Sequence, residues 1–229
     1  MTLLHMGPFG VNTYIVHLCG PYVFVVDPAS CALCGDEAKV SSYLTQNNLI
    51  PVAFVLTHGH FDHVAGLTHL KKCFPFCPIL INKNDSFYLG SSSYSFHAES
   101  LSLMGLEELL PAYENLPEAD AFLENNKTLL DSLSFKKIES EELRDPLLKW
   151  SVLYTPGHTK GSVCLYNKED KILISGDTVF FHSWGRTDLP GGSEDEIMRS
   201  LNFIYKTLPK DTLVFPGHDV TSFLLGENC

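Results

Sequence analysis

The sequence predicts an α/β protein with helices in outer layers and sheets inside. Apolar strand-like runs alternate with helical patterns along the chain, and loops rich in Gly, His and Asp follow those runs directly. The length of 229 residues allows a sizeable core, and one domain spanning 1–229 is the simplest organisation.

Taken in order, strands run up to Val26, the last of them, Tyr22-Val23-Phe24-Val25-Val26, ending at Asp27. A helix is expected around 36–46, a buried strand at 52–56, a helix from 63 to 70 and a strand at 78–81. A similar second half follows: strands at 151–154, 162–167 and 171–175, a helix over 193–208 and a strand at 213–215. Ser193 with Glu196 has the form of a capping box. Between the halves, residues 85–127 form a helical insertion of different composition. In it Gly90-Ser91-Ser92-Ser93 reads as flexible, and 99–110 as an amphipathic helix ended by Pro111. A lid, a dimer contact and a solvated insertion all suit that pattern.

Five motifs carry the chemistry: Thr57-His58-Gly59-His60-Phe61-Asp62-His63, Thr155-Pro156-Gly157-His158-Thr159, Ser175-Gly176-Asp177, Gly185-Arg186-Thr187-Asp188 and Pro216-Gly217-His218. Asp188 aside, they supply five histidines and two aspartates, donors that suit borderline divalent metals. Seven ligands are too many for one tetrahedral ion, so two ions sharing a carboxylate is the natural division. Residues two apart in an extended segment point the same way, so His58 and His60 converge while Asp62 and His63 lie past the bend. His5, His17, His69 and His97 lack such a setting and read as surface or satisfied core residues; His182 stays open.

In these motifs the chain resembles the metallo-β-lactamase superfamily and, within it, the single-domain bacterial glyoxalase II-like hydrolases. The resemblance runs from about Phe9 to His218. It implies a four-layer αββα sandwich with the metals at one edge of two sheets. It also implies one ion on His58, His60 and His158, a second on Asp62, His63 and His218, Asp177 bridging both, and a hydroxide held between the ions as nucleophile. The ions are expected to be zinc, and iron and manganese also suit His and Asp donors. Glyoxalase II enzymes usually carry a further C-terminal helical domain that grips glutathione, whereas this chain ends eleven residues after His218, so those residues cannot be carried over.

A bound divalent ion lowers the pKa of water from about 15.7 to about 7, and polarises an attacked carbonyl, which suits hydrolysis of an ester, thioester or lactone. Asp62 and Asp177 are the catalytic candidates, Asp62 also being able to orient the nucleophile or pass a proton. Asp27 is either the partner that orients a ligating histidine or a turn carboxylate. Arg186 is either an anchor for a substrate anion or the partner of Asp188. His182, Trp184 and Lys160 are further candidates for recognition. The expected substrate is a small thioester of hydroxyacylglutathione type. The rival reading is a persulfide dioxygenase of the same superfamily, with one iron on His58, His158 and Asp177.

A formal charge of −11 disfavours nucleic acid as a partner. No apolar run approaches a membrane span and no export signal is visible, so a cytoplasmic protein is expected. The seven cysteines, Cys31-x-x-Cys34 included, read as reduced thiols outside the site.

Overall fold

The computed structural model describes residues 1–133 and 141–228. Two sheets face each other. The first contains β1 (Thr2–Met6), β2 (Val11–His17), β3 (Tyr22–Val26), β4 (Ile50–Val55), β5 (Ile79–Asn82) and β6 (Ala121–Leu123), in that order. Its first three strands are antiparallel and its last four are parallel. The second sheet is built from β7 (Trp150–Tyr154), β8 (Val163–Asn167), β9 (Ile172–Gly176), β10 (Leu213–Pro216) and β11 (Phe223–Leu224), lying side by side in reverse order. Only β9 and β10 pair in parallel there.

Seven helices connect or cover these strands: α1 (Lys39–Gln46), α2 (Phe61–Val64), α3 (Leu67–Cys73), α4 (Tyr94–Met104), α5 (Leu129–Ser132), α6 (Arg144–Leu148) and α7 (Glu194–Thr207), counted among the described residues. Three apolar clusters separate the four layers. Val23 and Val25 of β3 face outward onto Val40 and Leu44 of α1 and onto Leu67 and Leu70 of α3. Their neighbours Phe24 and Val26 face inward, toward Val152, Val163, Leu165 and Ile174 of the opposite sheet. On the far side Ile197, Leu201 and Ile204, spaced to share one stripe of α7, cover Leu153, Tyr166, Leu173 and Val214. Because both faces of the central strands are covered, they read as continuous apolar runs. The layered αββα architecture that the sequence predicts is the one observed.

Several local expectations are corrected. The helix over 63–70 is two helices, α2 and α3, broken where Gly66 donates its N–H to the Pro28 carbonyl at 2.9 Å. A Cβ at Gly66 would lie 2.4 Å from Ser30 Oγ, so the break is a close approach that only glycine permits. The helix over 99–110 begins earlier, at Tyr94, and stops at Gly105 in the left-handed conformation, with Pro111 inside the following 3-10 turn. Gly90 to Ser93 is a tight turn, in which the Ser93 hydroxyl and N–H both donate to the Gly90 carbonyl. At α7 only half a capping box forms: Ser193 Oγ accepts from the Glu196 N–H, and the reciprocal box lies instead at Thr128 and Asp131.

The 85–127 segment is no solvated appendage. It contributes β6 to the first sheet, and Leu101, Leu109, Tyr113 and Leu116 to the outer cluster. The six described cysteines are free, and Cys229 lies outside the described residues. Among the described residues no helix is long and apolar enough to cross a membrane.

Candidate metal centre

The ligand candidates sit where strands of both sheets end. β4 runs into Thr57-His58, and α2 starts just after His60. His158 follows β7, Asp177 directly follows β9, and His218 lies two residues past β10. Loops at strand ends on a rigid scaffold bring all seven predicted ligands to one edge of the sandwich.

His58, His60 and His158 form the first trio. His58 Nε2 lies 3.2 Å from His158 Nε2, and His60 presents Nδ1 at 2.8 Å from the same atom. The far side of each outer ring is tied down. His158 Nδ1 donates to the Arg186 carbonyl at 2.7 Å. His58 Nδ1 faces Thr57 Oγ1 at 3.0 Å, and that hydroxyl donates to Asp27 Oδ2 at 2.6 Å. With their protons held on Nδ1, both rings aim the lone pairs of Nε2 at one point.

Asp62, His63 and His218 form the second trio. His63 Nε2 and His218 Nε2 are 3.2 Å apart, and Asp62 Oδ2 lies 3.3 Å from His218 Nε2 and 3.8 Å from His63 Nε2. Again the outer nitrogens are occupied, His63 Nδ1 by Asp27 Oδ2 at 3.0 Å and His218 Nδ1 by the Phe9 carbonyl at 3.1 Å.

Asp177 stands between the trios. Its Oδ2 is 3.5 Å from His158 Nε2 and 3.4 Å from His218 Nε2, while Oδ1 is 3.4 Å from His63 Nε2. Oδ1 is buried and makes no hydrogen bond. Gly217 makes room for it, since a Cβ there would lie 2.1 Å from that oxygen.

These residues fit a pair of divalent ions. Zinc binds imidazole at about 2.0–2.1 Å, which sets tetrahedral neighbours roughly 3.3 Å apart. The ligand separations centre on that spacing, and converging lone pairs repel one another unless a cation lies among them. Burial, reinforced by the neighbouring imidazoles, holds His58 and His60 well below the usual histidine range. Burial also lowers His158. At the second trio burial again opposes charge, yet Asp177 and Asp62 outweigh it: His63, which Asp27 also flanks, is raised, and His218 is pushed up to about 11. The same histidines overcome the burial of Asp177 and hold it far below the ordinary carboxylate range. The carboxylates therefore make this edge a strong cation site.

Beside the ligands opens a cavity of about 350 Å³. Phe9, Phe61, Met104, Phe180 and Leu189 give it an apolar wall. His60, His158, His218, Asp62 and Asp177 supply its chemical face, and Arg186 and Asp219 add charge. The guanidinium of Arg186 grips Asp188 at 2.7 and 2.8 Å, the pairing that one of the two readings expects, and the residue also borders the cavity. His182 and Trp184 face a different cavity beside α7, and Lys160 lines neither. His5, His17, His69 and His97 stay outside the ligand groups; His97 is buried with Nε2 on the Tyr88 carbonyl at 2.8 Å.

Sequence reasoning missed Thr57, the Phe9 carbonyl and Asp85. Asp85 is fully buried and accepts from the Gly59 N–H, the Thr159 hydroxyl and the Gly161 N–H, while burial raises its pKa to about 6. Thr57 opens the first motif and was within reach; Asp85 lies in no motif.

The family model described as metallo-beta-lactamase superfamily matches residues 6–218. "Probable metallo-hydrolase YqgX" of Bacillus subtilis (strain 168) is 30% identical over 222 residues, 97% of this chain and 91% of that protein. "Hydroxyacylglutathione hydrolase GloC" of Haemophilus influenzae (strain ATCC 51907 / DSM 11121 / KW20 / Rd) is 27% identical, covering 85% of this chain and 78% of that one. Among solved structures, the BLEG-1 B3 metallo-beta-lactamase superposes with a TM-score of 0.78 at 27% identity, over 99% of this chain and 94% of the other. TTHA1623 in a di-iron-bound form superposes with a TM-score of 0.75 at 26% identity, over 99% and 96%. The chain belongs to the metallo-β-lactamase superfamily.

Proposed function

We propose that this chain is a dinuclear metal hydrolase of small thioesters, with a substrate of hydroxyacylglutathione type. One observation carries the reading: two complete ligand trios flank one carboxylate, Asp177, and open on a cavity of substrate size. Ions held by the His58, His60 and His158 trio and the Asp62, His63 and His218 trio, with Asp177 between them, would supply a water acidified to a pKa of about 7 and a polarised carbonyl, so no serine or cysteine nucleophile would be needed.

The chain's own residues supply the rest. Asp62 lines the cavity beside His63 and His218, placed to hold or pass a proton at its Oδ2. The wall of Phe9, Phe61, Met104, Phe180 and Leu189 surrounds an acyl group and excludes water, and Arg186 offers a permanently cationic side chain at that lining to a remote anion. A small-molecule substrate in the cytoplasm suits a chain whose formal charge of −11 repels polyanions. Similarity to a protein named as a hydroxyacylglutathione hydrolase supports the thioester. Zinc suits the donor set, and the likeness to a di-iron structure keeps iron as the alternative metal.

The persulfide dioxygenase alternative needs only His58, His158 and Asp177 around one iron, and the completeness of the second trio favours the hydrolase. The test is metal quantification on protein from an untreated source, with thioester-hydrolysis, oxygen-uptake and β-lactam-hydrolysis assays on the same preparation. Two ions with thioester turnover is the expected result. One iron with oxygen uptake, or turnover of β-lactams alone, overturns the reading.

A further inference from the structure

The 3-10 turn Lys83–Tyr88, between β5 and α4, supplies no ligand, yet three loops of the centre rest on it. Asp85 Oδ2 accepts from the Gly59 N–H at 2.9 Å and from the Thr159 hydroxyl at 2.7 Å, and Oδ1 accepts from the Gly161 N–H at 2.6 Å. Gly59 sits between His58 and His60, and Thr159 follows His158. One carboxylate therefore joins the loop that carries two ligands of the first trio to the loop that carries the third.

The other end of the turn adds a second support. The Tyr88 ring stands edge-on to His60, with centroids 5.8 Å apart, and its hydroxyl donates to the Pro190 carbonyl at 3.1 Å. Pro190 lies in the loop whose Arg186 carbonyl holds His158 Nδ1. Two glycines let the turn approach so closely: a Cβ at Gly161 would lie 2.5 Å from the Asp85 carboxyl carbon, and one at Gly59 only 2.3 Å from the Tyr88 ring. The second trio is braced elsewhere, by Asp27 and the Phe9 carbonyl.

We propose that Asp85 is a positioning residue for the first metal: by fixing the separation of the 58–60 and 158–161 loops, it sets the affinity and geometry of the His58, His60 and His158 site and leaves the second site nearly untouched. This rests on reading the two trios as metal sites. An asparagine at 85 keeps one acceptor oxygen, so one of the two backbone N–H groups must face an amide NH₂. A buried donor left unpaired pushes its loop away.

The experiment titrates the metal-depleted full-length chain with cobalt(II), following visible absorption and calorimetry, with His58→Ala and His218→Ala marking which signal belongs to which site. The unmutated chain is expected to bind two ions. In Asp85→Asn, the ion at the first trio should bind ten- to a hundredfold more weakly with a changed visible spectrum, and the ion at the second trio with unchanged affinity. Thr159→Val removes one of the three hydrogen bonds in a near-isosteric way and should shift the same site in the same direction by less; Thr159→Ser should restore it. These two variants decide the matter if Asp85→Asn does not fold. Equal weakening of both sites alongside a lowered melting temperature would make Asp85 a general structural residue and overturn the proposal, as would unchanged affinities. An unmutated chain that binds no cobalt would overturn the metal reading itself.

Discussion

Asp27 Oδ2 lies 3.0 Å from His63 Nδ1 while the same carboxylate takes both the N–H and the hydroxyl of Thr57, so one buried side chain orients a ligand of the second trio and braces the loop of the first. Its backbone has φ +48°, a conformation that asparagine tolerates and alanine does not. Asp27→Asn should therefore keep the fold, while His63 loses its charged acceptor. Affinity for the second ion is expected to fall ten- to a hundredfold. A chelator-competition titration measures it, and unchanged affinity would show that His63 needs no such partner.

Asp177 faces His158 on one side and His63 and His218 on the other, whereas Asp62 approaches only the second trio. Asp177→Ala should strip both ions and abolish turnover; Asp62→Ala should weaken one. Elemental analysis of the two variants after equal zinc loading tests this, and Asp177→Ala with full metal content would remove it from the centre.

Acidity should act in opposite senses on metal binding and on the metal-free fold. In the metal-free chain, Asp177 and Asp62 outweigh burial and hold His218 protonated up to about pH 11, above its unfolded value near 6.5. That contribution to stability is complete below about pH 6.5 and is lost as pH climbs toward 11, so the metal-free melting temperature should fall between pH 7 and 9. The proton must leave for metal to bind, so affinity at the second trio should rise over the same range, up to about tenfold per pH unit for each proton displaced. Calorimetry in buffers of different ionisation enthalpy reads the released proton directly, and a proton count of zero refutes the argument.

Arg186 touches the centre through its backbone, by the carbonyl that holds His158, and the residue borders the cavity while its guanidinium pairs with Asp188. Arg186→Ala should thus leave metal content intact. On an anionic thioester, loss of a charge-assisted contact of about 1.5–3 kcal/mol lowers kcat/KM roughly ten- to more than a hundredfold. Steady-state kinetics with charged and uncharged thiol leaving groups separates this from a structural role; equal losses on both would assign Arg186 to pairing with Asp188.

What was legible in the sequence follows from how locally each feature is encoded. The run from His58 to His63 announces itself because four donor side chains stand within six residues after an apolar strand. The structure brings His58, His60 and His158 within ligand reach of one another, and likewise Asp62, His63 and His218, but it also groups Asp27 with His58 and His63, a set that the sequence did not announce. Asp85 gave no such signal, because two of its three partners are backbone N–H groups of Gly59 and Gly161, which carry no side-chain identity. The edge strands β6 and β11, three and two residues long, are too short for any periodicity. The end of α4 is written in the chain at Gly105, whereas Pro111 falls inside a 3-10 turn, which accepts proline.

Each trio draws on both sheets, and this makes the metal centre a cross-link. His60 and His158 are 98 positions apart, and His63 and His218 are 155 apart. Ions bridging such distant points close loops that the unfolded chain seldom closes, an entropic constraint of the same kind as a disulfide between the two layers. A fragment containing only one sheet holds an incomplete set of donors, so filling both trios would require the two halves to have docked. Ions bound at both trios would thereby report on completed assembly: a chain holding two of them would already have brought its two sheets together.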